Sequence, residues 1–317
     1  MSPRYGRKTA VTAWLIVPIP GHFKGWYPAI RMNNFPGPEL MKLQSLRFHF
    51  ARLARELGSQ VSIGTRRYRV KGYLPSQFAV DMGHEPYLAK PLGAAMASRA
   101  GPIVDVGVNK GQTLLRILSI DADREYVGFE PQSACCALAQ LFIKDNALRN
   151  ATVVGVALSD SDCLLPFYAE GSYDEMGTLD VQSRARYVDA VPPQFVPARK
   201  GDGALQDLNV LAPAIIKVDV EGAELSVFRG LSGTIARARP ICFFEVLPNY
   251  MGDDREAIDK DVAAANREKA AAIFQFFRDS GYRIYQIDLA GEESPIDAFD
   301  LDNPGAFLGS DYVAHPV

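Results

Sequence analysis

The segment spanning residues 103–120 constrains the fold of this chain more than any other. Its apolar run at 103–106 is short and β-branched, which predicts a buried strand, and a turn between Gly107 and Gly111 follows it. Residues 112–120 then carry leucine and isoleucine at helical spacing, so the turn ends at a helix N-terminus. The free N–H groups of such a terminus bind a nucleotide or a carboxylate. An ordinary turn of an α/β protein without a ligand is the alternative.

The glycine spacing separates two classes of cofactor. A dinucleotide site uses three glycines, GxGxxG, because the pyrophosphate must approach the backbone closely. Here the string is DVGVNKG, with glycine only at 107 and 111 and with Asp105 before the first of them. This DxGxxxG pattern suits S-adenosylmethionine, which has no phosphate. Asp105 can face the ammonium of that molecule while amides of the turn face its carboxylate.

Polar residues follow the next two predicted strands. Glu130 ends a strand at 126–129, about 20 positions after the turn, where an acid accepts hydrogen bonds from both ribose hydroxyls. Ser159 and Asp160 follow a strand predicted at 152–158. Since ligands lie beyond the carboxyl ends of such strands, this pair can contact the edge of an adenine ring, or it can form a simple turn.

Acidic residues cluster after a further buried strand at 214–220. Asp219, Glu221 and Glu224 fall at the end of this strand and at the start of the helix that follows. Capping of the helix explains one or two of these carboxylates, but it explains Asp219, within the strand pattern, poorly. Strands that alternate with helices predict a doubly wound, mainly parallel α/β sheet with antiparallel strands at its end. Residues 170–200 predict a long polar loop.

The charge of the chain is divided unevenly. Residues 1–100 hold 15 basic residues against 4 acidic ones, whereas residues 101–317 hold 19 against 33. The basic part contains an amphipathic helix predicted at 39–57 and a strand or hairpin at 61–73, whose cluster of basic side chains is a candidate contact for phosphate or a sugar acid. This imbalance indicates an anionic partner such as a phosphorylated substrate, a membrane surface or a nucleic acid, or else packing of the two parts on each other.

Cysteine usage and hydropathy bear on the compartment. The four cysteines form no CxxC pair and no zinc spacing, which favours free buried thiols in a reducing compartment. No apolar run approaches the roughly 18 residues of a transmembrane helix. The sequence therefore predicts a cytoplasmic protein, with peripheral membrane contact left open.

Four motifs together resemble one family. VDVGVNKGQT, YVGFEPQ, VALSD and IIKVDVEGAEL, in this order and spacing, are similar to the FkbM family of S-adenosylmethionine-dependent methyltransferases. The resemblance implies a Rossmann-like class I methyltransferase domain, which we place at 85–317, and methyl transfer to a hydroxyl of a sugar, a glycan or a natural product. The basic extension at 1–84 lies outside the resemblance. The positions that match the cofactor loop, the ribose acid and the acidic motif are Asp105, Gly107, Asn109 and Gly111, then Glu130, then Asp219, Glu221 and Glu224.

The resemblance leads to a hypothesis about chemistry. Asp219 is the general base for the acceptor hydroxyl or holds a divalent cation that acidifies it, with Glu221 and Glu224 assisting. A base or a cap needs no metal, so we predict no metal ligand. The alternatives are a non-catalytic binding protein of the same fold, a nicotinamide oxidoreductase, disfavoured by the missing glycine, and a nucleic-acid methyltransferase, for which no interleaved basic and aromatic run is evident. We also expect His84 and Glu85 to border the pocket.

Overall fold

The computed structural model describes most of residues 85–317 and a hairpin at 59–71. The described residues are 59–71, 85–169, 171, 174, 176–180, 192–251, 256–257, 259–302 and 310–317. The helix predicted at 39–57 and His84 lie outside these ranges.

The strands are, in chain order, β1 (Ser59–Ile63), β2 (Arg66–Val70), β3 (Ile103–Val106), β4 (Tyr126–Phe129), β5 (Ala151–Val154), β6 (Ala157–Ser159), β7 (Cys163–Phe167), β8 (Gln194–Lys200), β9 (Ile215–Val218), β10 (Ile241–Glu245), β11 (Tyr250–Met251), β12 (Glu256–Ala257), β13 (Tyr282–Ile287), β14 (Glu293–Pro295) and β15 (Asp311–Pro316). The helices are α1 (Ala89–Ser98), α2 (Gln112–Ile120), α3 (Ser133–Asp145), α4 (Gly201–Asp207), α5 (Glu224–Gly230), α6 (Ser232–Ala238) and α7 (Lys260–Asp279), with a 3₁₀ turn (Pro86–Leu88) before α1.

The main sheet contains eight of the described strands, in the order β14-β13-β15-β10-β9-β3-β4-β5. Strands β10, β9, β3, β4 and β5 run parallel, whereas β15 runs antiparallel to both β10 and β13. The prediction of a doubly wound, mainly parallel sheet with antiparallel strands at one end is therefore confirmed. The carboxyl ends of the five parallel strands form one edge, which is where doubly wound sheets bind ligands.

Helices cover both faces of this sheet because its strands are apolar on both sides. Successive side chains of a strand point to opposite faces, so Ile103 and Val104 enter different hydrophobic cores. The first core is completed by helices α1, α2 and α3, through Leu92, Leu114 and Phe142 among others. The second is completed by helices α4 to α7 and includes a cluster of aromatic rings formed by Phe228, Phe244 and Phe277.

Three further strands form a small separate sheet, in the order β6-β8-β7. The sequence predicts a single strand at 152–158, but the structure breaks it at Gly155 and Val156, so that β5 joins the main sheet and β6 the small one. Residues 194–200, predicted as the end of a loop, form β8 instead. Only Val196 and Ala198 of this strand are buried, which gives too short an alternation to recognise in the sequence.

The basic hairpin of β1 and β2 packs on the same unit. The ring of Tyr68 stacks on Phe142 of α3, with 5.8 Å between their centroids. Arg66 forms an ion pair of 2.7 Å with Asp123, and Lys71 forms one of 3.1 Å with Asp145. The hairpin expected at 61–73 is thus present, and two of its basic side chains contact acids of the α/β unit.

Candidate functional site

A cavity of about 520 Å³ lies at the carboxyl edge of the parallel strands. Its wall includes the ends of β3 and β4, through Gly107 and Glu130, and the end of β9, through Asp219. A cavity of this size is typical of small-molecule sites. The structure therefore brings the predicted cofactor loop, the ribose acid and the acidic motif to one place.

The glycine loop approaches the acidic motif through its backbone. Gly107 has φ of +91°, and a Cβ added there would lie 1.8 Å from the carbonyl oxygen of Asp219, so only glycine fits. Gly111, with φ of +98°, precedes α2 and does not line the cavity, whereas Asn109 does. The amides of Gly107, Val108 and Gly111 already donate to backbone carbonyls, so these three are not available to a ligand's carboxylate.

Glu130 forms part of the cavity wall and is nearly inaccessible to solvent. Its Oε2 accepts a hydrogen bond of 2.7 Å from the amide of Asn109, and its Oε1 accepts one of 2.7 Å from the amide of Gln132. Burial raises the pKa of Glu130 to about 7, against these two N–H groups, which favour the ionised form. Each carboxylate oxygen can accept a further hydrogen bond, which suits the two hydroxyls of a ribose.

Asp105 lies beneath the cavity rather than in its wall. It is fully buried on β3, and its Oδ2 accepts a hydrogen bond of 2.6 Å from the hydroxyl of Tyr126. Burial raises the pKa of Asp105 to about 6, while the neighbouring charge of Lys217 opposes that rise. The sequence analysis expected this carboxylate to face the ammonium of the cofactor, but the structure points it at other protein groups.

Among the described residues that line the cavity, Lys217 is the only basic one. Its Nζ donates to Oδ2 of Asp219 at 2.7 Å. Burial opposes its charge, but Asp219, Glu85 and Asp105 together raise the pKa of Lys217, so the side chain is an ammonium. The sequence does carry a signal for Lys217: a lysine within a buried apolar strand needs a charged partner. We did not single it out in the sequence analysis.

The acidic motif divides into two roles. Oxygen atoms of Asp219, Glu221 and Glu245 lie within 4.8 Å of one another and face the cavity. Glu224 does not line it: its Oε1 accepts hydrogen bonds from the amides of Val220, at 3.3 Å, and Gly222, at 3.0 Å. Burial raises the pKa of Glu224 to about 7, against these backbone donors. The structure thus places Glu245 of β10 where the sequence analysis placed Glu224.

Part of the cavity wall comes from residues with no sequence signal of their own. Asp311 begins β15 and lies opposite Glu245 in the strand register, and its Oδ2 accepts a hydrogen bond of 2.6 Å from the hydroxyl of Tyr87. The hydroxyl of Ser310 donates to Glu245 at 2.9 Å. Glu85, which we expected at the pocket, does line it. Only the antiparallel return of β15 brings Asp311 to this edge.

The predicted adenine contact is not part of the described wall. Ser159 ends β6 and is buried, and neither it nor the adjacent Asp160 lines the cavity. Ala157 and Leu158 of the same strand do, together with Phe167 of β7. An apolar surface of this kind can contact the faces of an adenine ring rather than its polar edge.

Three carboxylates at this spacing allow two kinds of chemistry. A carboxylate in a partly buried site can take a proton from an acceptor. Asp219, Glu221 and Glu245 can equally supply the oxygen ligands that Mg²⁺ or Ca²⁺ prefers. The nearby ammonium of Lys217 already provides one positive charge to Asp219.

No helix among the described residues is both long enough and apolar enough to cross a membrane.

The strand order and the position of the cavity define a class of enzyme. A doubly wound sheet that ends in an antiparallel strand, with its site over the first βα turn, is the architecture of class I S-adenosylmethionine-dependent methyltransferases, and the chain is one of them. The methyltransferase FkbM domain matches residues 105–284, more than half of the chain. The chain belongs to this family, which excludes the nicotinamide oxidoreductase.

Solved structures with a similar fold include three methyltransferases. The methyltransferase FkbM from Methylobacillus flagellatus KT is 15% identical, with 89% of this chain and 72% of that chain covered and a TM-score of 0.40. The O-methyltransferase from Bacillus cereus in complex with SAH is 10% identical, with coverage of 89% and 92% and a TM-score of 0.40. A putative caffeoyl-CoA O-methyltransferase from Staphylococcus aureus is 8% identical, with coverage of 88% and 98% and a TM-score of 0.40. No curated protein sequence matches the chain.

Proposed function

We propose that the enzyme transfers a methyl group to a hydroxyl of a sugar, a glycan or a natural product, with Asp219 as the general base. The observation that carries this proposal is the position of the Asp219 carboxylate, which lines the same cavity as Glu130. A base is what a hydroxyl acceptor requires, because its proton must leave as the new bond to oxygen forms.

The cavity fits the cofactor that the family uses. Glu130 offers acceptors to the ribose, and Ala157, Leu158 and Phe167 offer an apolar surface to the adenine. S-adenosylmethionine supplies a methyl group already activated by a positively charged sulfur. What the protein must add is alignment of the acceptor oxygen and removal of its proton.

Asp219 is the destination that we propose for this proton. Asp219 is only partly buried, and its Oδ2 is held by Lys217 at 2.7 Å. Its other oxygen can accept the proton from an acceptor hydroxyl. Glu221 and Glu245 lie close enough to Asp219 to accept hydrogen bonds from further hydroxyls of the same acceptor.

The charge of the described wall bears on the acceptor. Its acidic and basic residues, tyrosine aside, are seven carboxylic acids and one lysine, namely Glu85, Glu130, Asp174, Asp219, Glu221, Glu245, Asp311 and Lys217. Such a wall favours ligands rich in hydrogen-bond donors and disfavours free anions. We therefore favour an uncharged polyol over an anionic acceptor. We keep an anionic acceptor as the alternative because the N-terminal extension is rich in basic residues.

Label transfer tests the proposal. The wild-type protein, incubated with methyl-labelled S-adenosylmethionine and pooled saccharides and lipid-linked saccharides, is expected to transfer label to alkali-stable ether positions identified by mass spectrometry. Asp219→Asn should lower the transfer rate by at least about 100-fold, while Asp297→Asn, which changes an exposed acid, should not. Label found on nitrogen or carbon would overturn the hydroxyl assignment.

Cofactor binding is measured separately. S-adenosylhomocysteine should raise the melting temperature of both the wild-type protein and Asp219→Asn, whereas NAD should raise neither, because only a ligand of the folded state stabilises it. Normal transfer by Asp219→Asn would remove this residue from the role of base. An Asp219→Asn protein that no longer binds S-adenosylhomocysteine would place the residue in the cofactor site instead.

A further inference from the structure

A row of polar side chains crosses three neighbouring strands beneath the cavity. Tyr126 on β4 donates its hydroxyl to Oδ2 of Asp105 on β3, at 2.6 Å. Asp105 is the direct register partner of Lys217 on β9. Lys217 in turn donates to Asp219 at 2.7 Å. The row therefore runs from the interior of the sheet to a carboxylate in the cavity wall.

The sequence makes room for this row at Gly128. A Cβ added to Gly128 would lie 2.9 Å from the hydroxyl oxygen of Tyr126 and 2.4 Å from the side chain of Val108. Gly128 is also the register partner of Asp105 on the neighbouring strand. A side chain at this position would displace the Tyr126 hydroxyl from Asp105, so the contact depends on the glycine.

The charges in the row depend on one another. Asp105 is fully buried, and its Oδ1 has no hydrogen-bond partner among the described residues, so the ammonium of Lys217 is what balances its charge. Lys217 itself is buried and faces carboxylates from several elements: Asp105, Asp219, Glu85 ahead of the 3₁₀ turn, and Asp311 on β15. An unpaired charge in such a place is strongly unfavourable, which fixes the ammonium between its partners.

We propose that Lys217 is a positioning residue that holds the Asp219 carboxylate aimed into the cavity, and that Asp105 and Tyr126 fix Lys217 from behind. This inference rests on the proposed function, in which Asp219 is the base. It gives Asp105 a role that does not require contact with the cofactor. Asp105 acts on the reaction through Lys217, and Tyr126 acts through Asp105.

The first test replaces the ammonium with an apolar chain of similar length. Lys217→Met should lower the rate of label transfer at saturating S-adenosylmethionine by at least about 100-fold and leave the KM for S-adenosylmethionine within about threefold. The acidic limb of its pH–rate profile should move to higher pH, because loss of a positive charge disfavours ionised carboxylates nearby. Lys217→Arg, which keeps the charge, should recover part of the rate. Lys144→Met, at an exposed position on α3, is the matched control.

Binding measurements separate this role from direct contact with the cofactor. By calorimetry, Lys217→Met should bind S-adenosylhomocysteine and 5′-methylthioadenosine, which lacks the amino-acid part, each within about threefold of the wild type. A loss of affinity for S-adenosylhomocysteine alone would mean that the ammonium contacts the carboxylate of the cofactor, and the proposal would be overturned. Wild-type transfer by Lys217→Met would overturn it equally.

A second variant covers the case in which Lys217→Met does not fold. Tyr126→Phe removes a single hydroxyl from the buried end of the row, and circular dichroism should show a native spectrum. We expect its transfer rate to fall by about three- to tenfold with unchanged binding of S-adenosylhomocysteine. A Tyr126→Phe protein that transfers label at the wild-type rate would contradict the row. If the wild-type protein transfers no label to any hydroxyl, the proposed function fails rather than this inference.

Discussion

Glu245 and Asp311 lie directly opposite each other on the antiparallel strands β10 and β15, and both side chains line the cavity. Burial, together with the acids around them, raises the pKa of both carboxyl groups, to about 7 for Asp311. The folded protein therefore binds more protons here than the unfolded chain does. These two pKa values, 3.8 in the unfolded chain and about 7 in the folded protein, bound a pH window. Within this window, the contribution of Asp311 to the unfolding free energy falls as the pH rises.

Asp311→Asn should flatten this pH dependence. Asparagine cannot ionise, and its side-chain oxygen can still accept the hydroxyl of Tyr87. Between pH 4 and pH 7, we expect the unfolding free energy of the wild-type protein to fall by up to about 4 kcal/mol more than that of Asp311→Asn. Urea unfolding at a series of pH values measures the difference, with Asp297→Asn as an exposed control. Parallel curves for Asp311→Asn and the wild type would contradict the prediction.

Glu130→Gln should weaken cofactor binding. The amide group of glutamine cannot accept from both Asn109 and Gln132, so one N–H loses its partner, and the charged acceptor that we assign to the ribose is lost. We expect calorimetry to show about 10- to 100-fold weaker binding of S-adenosylhomocysteine. Binding of adenine, which lacks the ribose, should change little, and Glu268→Gln on the surface of α7 should bind both normally. Equal losses for the two ligands would place Glu130 outside the ribose contact.

Two glycines of the cofactor loop should respond differently to alanine. Gly111→Ala meets nothing within 4 Å, so we expect only the conformational cost of its positive φ, about 1 to 2 kcal/mol of unfolding free energy. Gly107→Ala would place its Cβ 1.8 Å from the carbonyl oxygen of Asp219 and should cost more, with label transfer lost as Asp219 moves. Urea unfolding and transfer assays on the pair check this, and similar stability losses for both would refute it.

Glu224→Ala and Glu221→Gln should separate stability from activity. Removal of the Glu224 carboxylate leaves the amides of Val220 and Gly222 without their acceptor, which we expect to lower the unfolding free energy by about 1 to 3 kcal/mol. Glu221→Gln should leave stability nearly unchanged and slow label transfer. If Glu224→Ala were as stable as the wild type, the turn would not depend on this side chain.

Methyl transfer should not require a metal ion. Lys217 already places a positive charge 2.7 Å from Asp219, and a carboxylate base needs no cation to take a proton. We expect the rate of label transfer after treatment with EDTA to equal the untreated rate within error. Loss of transfer, restored by Mg²⁺ and abolished in Glu245→Gln, would assign Asp219, Glu221 and Glu245 as metal ligands instead.

The parts of the fold that local sequence patterns specify were predictable. The strand, glycine turn and helix at 103–120 have distinct periodicities and clear breaks, so β3 and α2 lie where they were expected. The division of residues 151–159 between two sheets was not predictable. Its cause is a change of pairing partner, from β4 for β5 to β8 for β6, and β8 is distant in sequence.

The site was most predictable where one segment supplies both a strand and its carboxyl end. Glu130 and Asp219 satisfy this condition, and both line the cavity. Asp311 comes from an antiparallel strand that enters at this edge, so no local pattern marks it. The burial of individual residues was equally hidden: Asp105 is fully buried, whereas Gly107, two residues later, borders the cavity.

The contact between Gly107 and the carbonyl of Asp219 joins two loops through main-chain atoms alone. The spacing between the loop at Gly107, to which we assign the nucleoside, and the acid that we assign as base is consequently set by the backbone and is insensitive to which side chains fill the rest of the cavity. Substitutions at Leu247, Pro248 or Leu289, which also line the cavity, can therefore change which acceptor is admitted while the catalytic spacing is preserved. An engineer who wishes to redirect the enzyme would begin at those three positions.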